Sequence, residues 1–321
     1  MKTLRRIFYI LIAVQTFLVA SQDVENKQKI VYIVSDINIP FWDIMARGIK
    51  ESATKNGYSF EVYSASNDKK TELQNLSKAI KEKVVGIIIS PINSSTASTI
   101  LNLSKRVNLP VVISDIGTDS GDYVSFISSN NFNGAYNIGK VLAKKMKKLG
   151  YDKEGTVGII GIPQKRANGK ARTNGFMKAM DEAGIKGAGI RQQVTFSYQE
   201  TYDFSKELIE QNPKMKAIFI QGSDKYKGAL DAIKDTGNKD KILLVSFDSE
   251  PIFLELIPKG VLVGAAMQQP YLMGFEAMNQ LDNHLKGKKV IKNKQLEILA
   301  ISTDNIKKNL PIIKKNVSGI E

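Results

Sequence analysis

The side chains in this chain best suited to gripping a small molecule recur at the ends of short β-branched runs. Ser35-Asp36 follows Ile30–Val34, Ser90 follows Val85–Ile89 and Asp115 follows Val111–Ser114. In the second half Gln221, Asp248 and Gln268 stand beyond the runs Ala217–Ile220, Ile242–Val245 and Leu262–Ala265. Carboxylates accept strong bonds from hydroxyl donors, so two aspartates with serines and amides around them suit a polyol. Phe41 and Trp42, the latter the sole tryptophan, come straight after the first polar loop. An aromatic ring there could cover the apolar C–H face of a sugar ring. Two plainer readings stand beside these. A Ser or Asp after a strand often caps the next helix, and Phe41-Trp42 also suits the buried start of one.

Signals for catalysis are sparse. The chain has no cysteine and one histidine, His284, late in a helical stretch beside Lys286 and Lys288. That removes thiol nucleophiles and leaves no ligand set for zinc. Neither a nucleophile elbow nor a phosphate-binding glycine loop is present. Gly155 to Gly161 is glycine-rich but falls on a strand. Asp115 and Asp248 as the acid and base of a glycosidase form the one enzymatic alternative. Binding explains the same residues with fewer assumptions, so the expected protein is not an enzyme and needs no cofactor or metal. With Lys+Arg at 46 against Asp+Glu at 32, the formal net charge is +14. The lysines are dispersed, and the densest cluster, Lys144-Lys145-Met146-Lys147-Lys148, reads as the solvated face of a helix. Nucleic acid is not expected as a partner.

These side chains need a scaffold, and the pattern supplies one. Short β-branched runs alternate with helical stretches at about Trp42–Lys55, Thr71–Lys83 and Ser95–Arg106, the signature of βαβ units around a parallel sheet. The alternation then restarts, with runs at Val157–Ile160, Gly189–Val194, Ala217–Ile220, Ile242–Val245 and Leu262–Ala265. Helices are expected near Asn168–Ala183, Glu200–Gln211 and Ser223–Thr236. Gly57, Gly184 and Gly237 stand where left-handed C-caps would be. Two leftover elements, a helix at Tyr271–Leu285 and a strand near Leu296–Ser302, could return to complete the first half. Open parallel sheets bind ligands beyond the carboxyl ends of their strands, so two polar rims predict a cleft between two halves. In an open cleft Asp115 and Asp248 would both be hydrated. At the N-terminus, Lys2, Arg5 and Arg6 precede the apolar run Ile7 to Ala20, the layout of a cleavable secretory signal over 1–21.

The residues also resemble a known family, the type I periplasmic binding proteins for sugars, over Lys29 to about Asn305. The opening Ile30-Val31-Tyr32-Ile33-Val34-Ser35-Asp36-Ile37-Asn38-Ile39-Pro40-Phe41-Trp42 is similar to that family's first strand and aromatic-rich loop. Gly86-Ile87-Ile88-Ile89-Ser90-Pro91, Leu109-Pro110-Val111-Val112, Val245-Ser246-Phe247-Asp248 and Gln268-Gln269-Pro270 are similar to its later signatures. The resemblance implies an α/β fold of two Rossmann-like lobes with parallel sheets joined by three hinge strands. Its lobes would be residues 29–128 plus 269–297 and residues 129–268 plus 298–310. It further implies a periplasmic protein, monomeric when free, that captures a sugar or sugar-like polyol between the lobes for a membrane ABC permease. A sensor kinase or chemoreceptor is the alternative partner. Phe41 and Trp42 would sandwich the ligand ring, and Asp115, Asp248 and Gln268 would bond its hydroxyls with Ser35 and Ser90 nearby. In the second lobe Lys170 and Arg172 occupy the family's arginine-rich stretch, with Lys170 in place of a ligand-binding arginine. Ile39, Ile116 and Gly222 stand where ribose binders usually carry asparagine, arginine and asparagine, which argues against ribose itself.

Overall fold

A computed structural model describes residues 27–320, so the expected signal at 1–21 lies outside the described residues. The described chain divides into two compact units. The first holds the residues up to Phe126 together with Gly274–Lys292, and the second holds Ile127–Met273 and the residues from Asn293 onward.

The first unit starts with β1 (Lys29–Val34), α1 (Pro40–Lys55), β2 (Ser59–Ser64), α2 (Lys69–Lys81), β3 (Gly86–Ser90), α3 (Ser94–Arg106) and β4 (Val111–Ser114). β5 (Ser125–Ser129) follows and carries the chain into the second unit. There come α4 (Asn131–Lys148), β6 (Thr156–Gly161), α5 (Ala167–Glu182), β7 (Lys186–Gln192), α6 (Tyr198–Gln211), β8 (Met215–Ile220), α7 (Tyr226–Asp235), β9 (Leu243–Phe247), α8 (Phe253–Leu256) and β10 (Gly264–Met267). The rest is α9 (Pro270–Leu285), β11 (Asn293–Leu296), β12 (Leu299–Ser302), α10 (Ile306–Ile312) and a π-helical turn at Ile313–Ser318.

Two six-stranded sheets result, in the orders β11-β5-β4-β3-β1-β2 and β12-β10-β9-β8-β6-β7. Matched position by position, the orders are the same, with β4 equivalent to β9 and β3 to β8. β1 pairs parallel with β2 and β3, and β8 parallel with β6 and β9. Their composition explains the pairing. Residues Ile30 to Val34 and Ile87 to Ile89 are fully buried, as expected of parallel strands covered on both faces. Met45, Ile49 and Ala53 form the buried side of α1. In the second unit Phe176 of α5 stacks on Phe219 of β8 with ring centroids 4.3 Å apart.

Several boundaries depart from the sequence reading. β5 was not expected: its alternating burial and serine-rich composition give a weak signal. The single strand expected near Leu296–Ser302 is two short ones. β11 flanks β5 in the first sheet, while β12 runs antiparallel to β10 in the second. Residues 127–128, 269–273 and 293–297, expected with the first lobe, belong to the second unit, as do the residues beyond 310. A bond network explains part of this. The Gln269 side chain donates to the Glu297 carbonyl and accepts from Asn316. The chain passes between units within β5, early in α9 at Met273–Gly274, and at the start of β11. Gly57, Gly184 and Gly237 all have positive φ just past their helices, as the C-cap reading required.

One glycine sets a distance that matters for the site. A Cβ on Gly175 of α5 would lie 2.1 Å from the Phe132 carbonyl oxygen of α4. Backbone at that range cannot yield cheaply, so G175A should force α4 and α5 apart. We expect a loss of at least about 2 kcal/mol, typical of overpacked interiors. The check is a melting curve, and an unchanged melting temperature would show that the crossing is looser than described.

Candidate functional site

The strand-end polar residues are not helix caps. Of the helices that follow, α3 is capped by Asn93 in a capping box with Thr96, and α1 has the apolar Ile39 at its N-cap. α8, the next helix after Asp248, has Ile252 at its N-cap with no side-chain cap bond. Asp115 and Asp248 are each the first residue past their strands, and both hold the left-handed conformation, φ +70° and +67°. Such backbone is uncommon outside glycine, although Asp tolerates it better than most residues. The two aspartates thus occupy matching places in the two sheets, after β4 and β9.

In the first unit Trp42 Nε1 donates to Asp115 Oδ2 at 3.2 Å. This tie joins the first turn of α1 to the end of β4. Trp42 and Phe41 are both half-buried, with Pro40 opening the helix ahead of them. Ser35 and Ser90 are buried side by side: the Ser35 N–H donates to the Ser90 carbonyl at 3.0 Å. Ser90 Oγ accepts from Tyr32 at 2.7 Å, whereas Ser35 Oγ is buried without a hydrogen-bond partner. Burial pushes the Tyr32 phenol well above its ordinary range, so it remains a donor. Below this rim, Glu72 of α2 is fully buried and accepts from the Ile92 N–H at 2.9 Å, fixing the turn after Ser90. Its carboxyl is raised by burial.

The second unit gathers a charged cluster. Arg172 of α5 is only 4% exposed. Its Nε donates to Asn131 Oδ1 at 2.8 Å and its Nη1 to the Gln221 carbonyl at 2.6 Å. The same nitrogen lies 3.5 Å from Asp248 Oδ2, and the guanidinium sits 3.8 Å from the centre of the Phe247 ring. The contact with Asn131 depends on the close α4–α5 crossing at Gly175. Gln268 Nε2 donates to Asp248 Oδ1 at 2.7 Å, while Gln268 Oε1 is buried without a partner. Burial raises the Asp248 carboxyl above the usual range, and Asp224 adds to that; Arg172 and the Gln268 bond pull the other way. Two rims of hydroxyl acceptors are therefore on hand, each with one orphaned oxygen.

Of the nine expected residues, the structure joins Trp42 to Asp115 and Ser35 to Ser90 in the first unit. In the second it joins Arg172, Asp248 and Gln268. Phe41 is placed beside Trp42 in the sequence but makes no bond to this group. Lys170 is exposed on α5, two residues from Arg172 and so on a different side of the helix, and is not part of the cluster. Asp248 differs from expectation in one respect: it is not simply hydrated but already bonded to Gln268 and paired with Arg172. Tyr32, Met45, Asn131 and Phe247 support the rims and were missed. Tyr32 left a trace, a phenol inside an otherwise aliphatic strand; Asn131 left none. Phe196 was also missed. It follows β7 with φ +53° and lies beneath the Arg166 guanidinium at 5.5 Å.

Truncating Asp248 strands a buried guanidinium. Removing one member of a buried ion pair typically costs 3–5 kcal/mol, and the Gln221, Asn131 and Phe247 contacts that Arg172 keeps should hold the loss to about 2 kcal/mol. D248A should therefore melt well below the wild type without any ligand, while R172M/D248L should recover much of the difference. Equal melting temperatures for D248A and the wild type would mean that the pair contributes nothing.

Comparison with known proteins adds family information. The model of the family described as "Periplasmic binding protein domain" matches residues 30–289. The ribose import binding protein of Bacillus subtilis is 29% identical over 259 residues, covering 81% of this chain and 82% of the relative. An ABC transporter periplasmic solute binding protein from Actinobacillus succinogenes, solved with bound D-allose, superposes with a TM-score of 0.80 at 20% identity. It covers 88% of this chain and all of its own. A chain of the XylFII–LytSN complex gives 0.73 at 22% identity, covering 87% of this chain and 99% of its own.

Proposed function

The chain belongs to the periplasmic binding protein domain family, and from that premise we propose that it captures a sugar or sugar-like polyol for a membrane ABC permease. The observation that carries this reading is the matched pair Asp115 and Asp248. Both stand at the carboxyl ends of equivalent strands, in left-handed backbone, and neither caps a helix. Two buried oxygens without a partner, Ser35 Oγ on the residue bonded to Ser90 and Gln268 Oε1 on the residue bonded to Asp248, call for a ligand rich in hydroxyl donors. Trp42 offers a ring for the apolar face of such a ligand, and its bond to Asp115 fixes the relation between ring and carboxylate. The function is capture and release, not turnover. The same reading has the chain exported to the periplasm, with residues 1–21 removed, and monomeric when free.

Similarity to curated import binding proteins supports a permease as the partner. Similarity to a chain of the XylFII–LytSN complex favours a second reading, in which the protein reports its ligand to a membrane sensor. Identifying which membrane protein co-purifies with the liganded chain separates the two.

A calorimetric panel of D-ribose, D-allose, D-arabinose and myo-inositol tests the binding itself. One hydrogen bond to a charged group contributes about 1.5–3 kcal/mol, so D115A should weaken the best ligand by about tenfold to a hundredfold. Trp42 emission should report the same titration, because its indole N–H faces the lost carboxylate. If no member of the panel or of a wider polyol set binds, the reading fails.

Affinity should also depend on pH. Hydroxyl donors favour the charged carboxylate, and in the free protein burial raises Asp248 above its ordinary value. A ligand must then drive off the proton wherever the group is still protonated. Kd should therefore rise as the pH falls through that raised value, and D248N should flatten the profile. Parallel profiles for the two proteins would place the titration elsewhere.

A further inference from the structure

Met45 lies one turn beyond Trp42 on α1, fully buried. Its sulfur faces three hydroxyls: Ser114 Oγ at 3.1 Å, Tyr32 Oη at 3.4 Å and Ser90 Oγ at 3.5 Å. These hydroxyls come from β4, β1 and β3, so one thioether meets the ends or interior of three neighbouring strands. The backbone holding that sulfur has little room to move. A Cβ on Gly274 of α9 would lie 2.1 Å from the Met45 carbonyl oxygen, which places α9 directly against α1 at this residue.

We propose that Met45 is a positioning residue of the sugar site, holding the Ser90 hydroxyl ready for transfer to a ligand oxygen. The inference rests on the polyol-binding reading given above. Ser90 Oγ already accepts from Tyr32 at 2.7 Å, so what it has left to give is its own O–H. In the free protein that O–H points at sulfur, and a thioether is a weak acceptor. A carbonyl or carboxylate in the same place would hold the hydroxyl firmly and compete with the ligand. With nothing there, the hydroxyl would be free to rotate and would lose its direction. Sulfur is the intermediate case: it aims the donor and gives it up to any better oxygen. Ser35, whose Oγ is buried and unpartnered, is bonded to Ser90 through its backbone. The adjacent tie from Trp42 to Asp115 sits on the same helix, so α1 sets both contacts at once.

A double-mutant cycle tests this with M45L, S90A and M45L/S90A. Met and Leu are close in volume, and such exchanges are tolerated in cores, so M45L should fold with little change in melting temperature. Calorimetry with the tightest-binding sugar of the panel should show M45L weakened about five- to tenfold. Adding M45L to S90A should then change Kd less than twofold, because the hydroxyl that the sulfur aims is already gone. A purely structural Met45 predicts the opposite, equal losses with and without Ser90, and that result overturns the inference. So does wild-type affinity in M45L. A second readout follows the Met45 methyl resonance in methyl-labelled protein: sugar should shift it in the wild type and not in S90A, and a sugar-bound wild type with an unmoved methyl also overturns the proposal. A chain that binds no sugar at all overturns the underlying reading, and this inference falls with it; sugar binding that ignores Met45 removes the inference alone.

Discussion

A parallel strand covered on both faces leaves a polar side chain only one convenient place, its end. β1 and β3 are aliphatic and fully buried along nearly their whole length, and β8 and β9 are close to it. Apart from Tyr32 inside β1 and Ser246 inside β9, the hydroxyls, amides and carboxylates that these strands contribute stand at the edge where the chain leaves the sheet. The helices start from separate caps at Asn93, Asn130 and Ser197. Since capping is done elsewhere, Ser35, Ser90, Asp115 and Asp248 remain available for other partners. The left-handed turns at the two aspartates follow from the same demand: the chain must leave the strand sharply while keeping the carboxylate at its mouth.

The two rims answer this constraint differently. In the first unit the chemistry is layered: Tyr32 and Met45 lie beneath Ser90, with Trp42 braced on the Asp115 carboxylate. In the second it is ionic: a buried guanidinium stacked on Phe247 holds Asp248, and Gln268 holds it from the other side. Burying such a pair gains little stability over an apolar core of the same shape. Its use is directional. Arg172 is anchored through Asn131 and Gln221 as it faces Asp248, and Gln268 bonds the carboxylate from its other side, which fixes it in one pose.

Much of this was legible in the sequence. Central strands carry long β-branched runs, and these gave the α/β alternation, the two halves and the strand ends where the polar residues stand. The resemblance of whole segments, such as Ile30 to Trp42, then gave the family. What could not be read is chiefly whatever depends on contacts distant in the chain. β5 alternates serine with apolar residues and resembles a loop. The break between Leu296 and Leu299 depends on which sheet each side finds, and nothing local marks it. Arg172 and Lys170 look equivalent as neighbours in a basic stretch, yet the turn of the helix buries one and exposes the other. Met45 reads as an ordinary core methionine, because the hydroxyls that converge on its sulfur lie 13, 45 and 69 positions away.

The interrupted course of the chain governs the order in which the protein is made. α9 packs on the first unit, with Gly274 against Met45 and Leu281 against Gly86, but the ribosome reaches it only after residues 127–273. At about 5–20 residues per second, the first sheet waits on the order of ten to thirty seconds for that helix. The second unit waits as well, since β12 closes its sheet and Ile313 and Val317 complete its core. Neither unit is whole until the last few dozen residues have emerged. The nascent chain therefore spends most of its synthesis with apolar faces uncovered, open to a chaperone.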